Sequence, residues 1–151
     1  VNVICPHCNS RLELTALAED AAARQLFGLL KDCGPAGSAV ITYLGLFKPP
    51  KQALRWARAL KLAEEVMVLL TAVGGTLDEL TAACLRTVAA LDERRKGSDW
   101  QPLTSHRYLA RVLDAVITER DWSAGPAGPS TSGNRAARSK RSEALQVLDE
   151  D

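Results

Sequence analysis

Cys5-Pro6-His7-Cys8 is the stretch of this sequence whose residue types and spacing could do chemistry most directly. Two thiolates two residues apart on a proline-stiffened turn suit a zinc knuckle, in which each sulfur sits about 2.3 Å from the metal. A structural zinc site takes four ligands, and no second CxxC or CxxH follows in the chain. Within the chain the candidates to complete it are Cys33, His106, Cys84 and His7. Cys33 is the first choice, because it ends a helix able to fold back on the hairpin. Cys84 reads most simply as a small buried hydrophobe. His7 points away if both neighbouring cysteines bind, and a second copy could supply another Cys5 and Cys8 across a homodimer. The metal set is therefore Cys5 and Cys8 with Cys33 or His106, and zinc is the candidate cofactor. A degenerate knuckle that folds without metal stays open. A redox pair is the weakest reading, because the chain after Cys8 lacks the strand-then-helix context of thioredoxin-type sites.

The second informative stretch is KPPKQALRWARALK, residues 48–61. The spacing predicts a long helix from about Pro50 to Ala72. On it Lys51, Arg55 and Arg58 fall within about 60° of one another, with Lys48 in the preceding turn and Lys61 at the edge. Trp56, Leu60, Ala63, Met67 and Leu70 form the opposite, core-facing stripe. A short apolar helix, a turn and a helix with basic residues near its start is the outline of a helix-turn-helix. In that outline Gln52 could read adenine, and the cations could hold phosphate or guanine. The double proline argues against the usual tight turn. The competing reading is a solvated helix face, with Glu64 and Glu65 closing salt bridges one turn on.

No catalytic constellation accompanies these stretches. There is no GxxxxGK[ST], GxSxG or HExxH, and neither histidine has an obvious nucleophile beside it. The protein is expected not to be an enzyme.

These residues need elements to position them, and composition favours helices. The chain has 151 residues, 46% hydrophobic and 25% charged, with aromatics at 5%. Alanine and leucine lose little side-chain freedom in helices. The expected fold is mainly α: a bundle of about five helices, with a short CxxC hairpin over 1–14, a helical domain over 15–122, and a flexible linker and charged, disordered tail over 123–151. A helix is predicted from Thr15 to Gly34-Pro35, and a short apolar one, AVITYLGLF, capped by Ser38. Another is predicted from the capping box Thr76-Leu77-Asp78-Glu79 to about Lys96, and a last one capped by Ser105. The tail's cations Arg135, Arg138, Lys140 and Arg141 are balanced by Glu143, Asp149, Glu150 and Asp151, which favours a solubilising role. Tyr108, at the start of the last helix, could stack a base, though packing there is the simpler role.

Net charge is +1, so nucleic-acid contact would have to come from a local patch. No stretch approaches the roughly 18 apolar residues of a membrane span, and no charged-then-apolar leader stands before the CxxC. The expected setting is reducing and cytoplasmic, with no membrane partner.

The order CPxC, AEDAAARQL, YLGLFKPPKQALRWARALKLAEEV and PLTSHRYLARVL resembles a group of phage and prophage proteins encoded among replication and recombination genes. The resemblance spans about residues 3–117 and is most specific from Tyr43 to Leu54. It implies a DNA-metabolism accessory in a host cell: DNA-binding, or an adaptor that helps load replication or recombination proteins. It brings no catalytic residues. The alternative is a protein–protein adaptor or oligomeric structural protein without DNA contact, in which AVITYLGLF or the tail engages the partner.

Overall fold

A computed structural model of the chain describes residues 2–4, 11–49, 52–95 and 101–123. Cys5, His7, Cys8, Lys51 and the tail from residue 124 lie outside the described residues. Strands β1 (Asn2–Ile4) and β2 (Arg11–Glu13) pair antiparallel, with Val3 opposite Leu12. Helices α1 (Leu14–Glu19), α2 (Ala21–Asp32), α3 (Pro35–Leu44), α4 (Trp56–Val73), α5 (Leu77–Arg95) and α6 (Arg107–Ser123) follow, with a 3-10 turn at Gly45–Phe47 after α3. The protein is a mainly α bundle. Its core joins Leu26 and Leu30 of α2, Val40 and Tyr43 of α3, Leu62 and Val66 of α4, Leu80 and Cys84 of α5, and Leu109, Leu113 and Ile117 of α6. Among the described residues no helix is long and apolar enough to cross a membrane.

The first predicted helix is two. Asp20 is extended (φ −75°, ψ 119°), and its side chain accepts from the Ala23 amide at 2.9 Å, capping α2. Arg24 donates back to the carbonyls of Ala18 and Glu19, satisfying the end of α1. One aspartate therefore starts a helix where sequence periodicity alone runs through.

Between α2 and α3 the chain turns through Gly34, whose φ of 55° suits a residue without Cβ, and Pro35 opens α3. Ser38, expected as the cap, instead lies in the first turn and donates to the Pro35 carbonyl. Gly37 lets α3 close on α2: a Cβ there would stand 2.2 Å from the Leu30 carbonyl oxygen.

Helix α4 begins at Trp56 rather than Pro50. Consecutive prolines remove two backbone donors and disfavour helix at the residue before each. Lys48 (ψ 123°) and Arg55 (ψ 143°) are both extended. The buried face of α4 is centred on Ala59, Leu62, Ala63, Val66, Leu69, Leu70 and Val73. Trp56, Leu60 and Met67, predicted as its core stripe, are only partly buried and sit at the edge of the core.

The capping box forms as expected. The Glu79 amide donates to Thr76 Oγ1 at 3.3 Å, and Glu79 Oε2 accepts from the Thr76 amide at 2.7 Å. Glu79 is buried, and its Oε1 lies 2.8 Å from Arg120 Nη1, so the start of α5 is tied to the end of α6. Arg86 and Glu119 pair at 2.9 Å along the same seam.

Candidate functional site

The junction between the 3-10 turn and α4 carries the basic residues singled out in the sequence. Lys48 and Arg55 are extended, the Gln52 amide donates to the Pro49 carbonyl at 3.5 Å, and α4 starts only at Trp56, so Gln52 and Arg55 are not within a helix as the helix-turn-helix outline placed them. Gln52 lies in a bend before α4, Lys48 ends the 3-10 turn, Arg55 is the helix cap, and only Arg58 is within the helix. Of the predicted helical-wheel cluster, Arg55 therefore caps α4 and only Arg58 lies within it, while Lys51 lies outside the described residues. Lys48, Gln52, Arg55 and Arg58 are all exposed. Lys48, Arg55 and Arg58 make no ion pair with another described residue. Lys61, by contrast, pairs with Glu65 at 3.8 Å, as the solvated-face reading expects for that residue.

Beside this junction lies a buried polar cluster. His106, 3% exposed, precedes α6. Its Nδ1 is 2.8 Å from the Tyr43 hydroxyl, and its Nε2 is 3.0 Å from Glu65 Oε2. A carboxylate only accepts, so Nε2 carries the proton and donates to Glu65. Nδ1 is then an acceptor, and the Tyr43 hydroxyl donates to it. The Phe47 ring stands 5.1 Å from the imidazole, centroid to centroid, and meets Tyr43 edge-on at 5.5 Å. The Leu103 amide donates to the Leu46 carbonyl at 3.0 Å, closing the same corner through the backbone. Burial pushes the His106 pKa down. The hydrogen bond and charge of Glu65 pull it up, and the nearby Arg58 charge lowers it further, so the net shift is downward. Burial, then the charges of Cys84 and Glu65, push the Tyr43 phenol well above its usual range. The cluster pins α3, α4 and the start of α6 together through a buried Tyr43–His106 pair and a partly exposed Glu65.

The metal candidates stand apart in role. Cys33, at the end of α2, is buried with its sulfur 3.7 Å from Met67 Sδ. Burial, and secondarily the Asp32 charge, raises its thiol pKa, which disfavours the thiolate a zinc ion takes. His106 has both ring nitrogens engaged. Either residue would have to give up these contacts to ligate a metal. Cys84 is fully buried, and its pKa is pushed up to about 12 by burial. Among the described residues no group of three or more His, Cys, Asp or Glu side chains is placed to hold a metal ion.

Residues 1–105 match the family model HI_1489_N, described as an N-terminal domain. The chain belongs to the HI_1489_N family. The matched segment runs from β1 through α5 and includes the basic junction, Tyr43 and Glu65. His106 and α6 follow it. An uncharacterized protein of Haemophilus influenzae (strain ATCC 51907 / DSM 11121 / KW20 / Rd) is 40% identical over 116 residues, which cover 73% of this chain and 61% of that protein. The chain thus spans about three fifths of that relative's length. No solved structure matches it.

Sequence reasoning missed the Tyr43–His106–Glu65 cluster. Glu65 was legible only as a surface salt-bridge partner and His106 only as a metal candidate. The one available signal was a tyrosine, Tyr43, among the apolar residues of α3.

Proposed function

We propose that this HI_1489_N-family protein is a non-enzymatic nucleic-acid accessory, gripping backbone phosphate at the junction between the 3-10 turn and α4. The observation that carries the reading is the set of exposed cations, Lys48, Arg55 and Arg58, that make no ion pair among the described residues and lie around the start of α4. Lys51 belongs to the same stretch in sequence. Cations without internal partners are free to displace counterions from phosphate, and this attraction is local, so a net charge of +1 does not oppose it. The resemblance to phage and prophage proteins of the replication and recombination region supports a DNA role in a host cell, with replication or recombination proteins as further partners.

The test is fluorescence anisotropy with a labelled DNA oligonucleotide over a salt series. The reading expects the logarithm of affinity to fall linearly with the logarithm of salt concentration. Alanine at Lys48, Arg55 and Arg58 together should flatten that slope by about 2 to 3. An unchanged slope and affinity in the triple variant overturns the assignment.

The zinc reading of Cys5 and Cys8 goes with this proposal as an organiser of the hairpin. Metal content measured with native mass decides it. One zinc per two chains means a shared all-cysteine site, one per monomer brings in Cys33 or His106, and none removes the knuckle.

The competing adaptor reading placed its contact on AVITYLGLF or on the tail, which lies outside the described residues, so only the first is addressed by the structure. That segment directs Ala39, Val40, Tyr43, Leu44, Leu46 and Phe47 into the core, leaving Ile41 as its exposed large apolar residue.

A further inference from the structure

Phe27 is 43% exposed although it is one of two phenylalanines in the chain. It lies on α2, and its ring centroid is 5.8 Å from that of Trp56, with the planes tilted by 50°. Trp56 is the first residue of α4, directly after Arg55, which makes no ion pair among the described residues. Lys31, exposed and also without an ion-pair partner among the described residues, lies one helical turn on from Phe27 on the same face of α2. A half-exposed aromatic ring braced by a second ring thus has Lys31 one turn along its own helix and Arg55 next to the bracing Trp56 in the chain.

We infer that the Phe27–Trp56 pair is a base-stacking platform, and that the nucleic acid gripped at Arg55 is single-stranded. This rests on the phosphate-binding reading above and specifies its ligand. In a duplex the faces of the bases are already stacked on one another, so an exposed ring has nothing to stack against. A single strand offers free base faces alternating with phosphates, which matches an aromatic ring with cations near it in the chain. The shape of the junction agrees. Reading a major groove takes a helix or a two-stranded ribbon, whereas here Arg55 is extended and Gln52 lies in a bend, not on a helix.

The experiment compares full-length protein binding to a labelled single strand of about 16 nucleotides, a length that spans a typical single-strand site, with binding to the duplex of the same sequence. The single strand should bind more tightly. Phe27→Leu keeps apolar bulk but removes the π face, and should weaken single-strand binding about tenfold while leaving the duplex unchanged. Phe27→Tyr should restore it. Circular dichroism melts confirm that each variant is folded, which the partial exposure of Phe27 favours. Equal single-strand affinity in Phe27→Leu and wild type, or tighter binding of the duplex, overturns the platform and leaves the phosphate-binding reading standing. No binding of either form by wild-type protein overturns both.

Discussion

The Tyr43 hydroxyl donates to His106 Nδ1 across 2.8 Å in the interior, although the two residues are 63 positions apart in the chain. With Nε2 donating to Glu65, the imidazole has no unused nitrogen. The ring is a structural pin whose tautomer is set by its partners.

Removing the phenol tests that assignment. Tyr43→Phe keeps the ring and its packing but leaves Nδ1 buried without a donor. A buried acceptor stripped of its partner costs about 1–3 kcal/mol. Urea denaturation should show the midpoint lowered by that free energy divided by the m-value, with the m-value unchanged. A midpoint equal to wild type would show that the hydrogen bond does not hold the corner.

Acid should weaken the fold through His106. Its pKa in the folded protein is below the ordinary 6.5, so the folded state binds the extra proton less readily than the unfolded state. Where the unfolded chain binds more protons, stability falls as pH falls. The contribution is therefore full above about 6.5 and diminishes below it until the folded-state pKa is also passed. The titratable and charged groups facing the ring are Tyr43, Glu65 and Arg58. Denaturation at pH 7.5 and at lower pH steps should show this slope in wild type, and His106→Gln should flatten it (the pH values span the ordinary histidine range, about 6.5). An identical slope in both proteins assigns the acid sensitivity elsewhere.

Gly37 marks a close approach of α3 to α2. A Cβ placed there would stand 2.2 Å from a backbone oxygen, which cannot rotate away. Gly37→Ala must separate α2 from α3, and overpacking of this kind costs about 1–3 kcal/mol. The helix gains some intrinsic propensity from alanine, so a thermal melt lower than wild type means that the steric term wins. A raised melting temperature contradicts the close approach.

Glu79 ties two helix ends, accepting from Thr76 and meeting Arg120 at 2.8 Å. Thr76→Ala should cost about 1 kcal/mol as an ordinary cap loss. Glu79→Ala should cost more than Thr76→Ala, because it also leaves Arg120 without this partner. Arg120 is half-exposed and keeps Asp121 beside it, so solvent limits that extra loss. Equal costs in denaturant melts would reduce Glu79 to its capping role.

Thiol chemistry reads out the core. Cys84 is fully buried, and its pKa is pushed up to about 12. Iodoacetamide at neutral pH should leave Cys84 unmodified in folded protein and label it after unfolding, with peptide mass spectrometry as the readout. Labelling of Cys84 in native conditions would show that α5 opens locally.

Local signals carried much of the architecture. Thr76 and Glu79 are three residues apart and close on each other, so their capping box was readable from spacing. Gly74-Gly75 and Gly34-Pro35 stop helices by backbone chemistry that belongs to those residues. The apolar stripes of α5 and α6 were equally plain, with Leu80, Cys84 and Leu91, and then Leu109 and Leu113, inward as their period requires. The break at Asp20 was hidden because an acidic residue suits both a first turn and a cap. The late start of α4 was hidden because proline is welcome at the first position of a helix as well as before one. Periodicity alone could not choose between those outcomes.

The sequence by itself determined the helical class, most helix ends and the separation of the basic stretch from the apolar faces, because these depend on residues within a turn or two of each other. Only the tertiary structure decided the role of His106, since its partners come from α3 and α4, 63 and 41 positions away. It also decided that Phe27 leans on Trp56 and stays half-open to solvent, and that Cys33 faces Met67. Such pairings depend on which helices pack side by side and on their rotation about their axes. Those are set by the fit of the whole core, and no single segment encodes them.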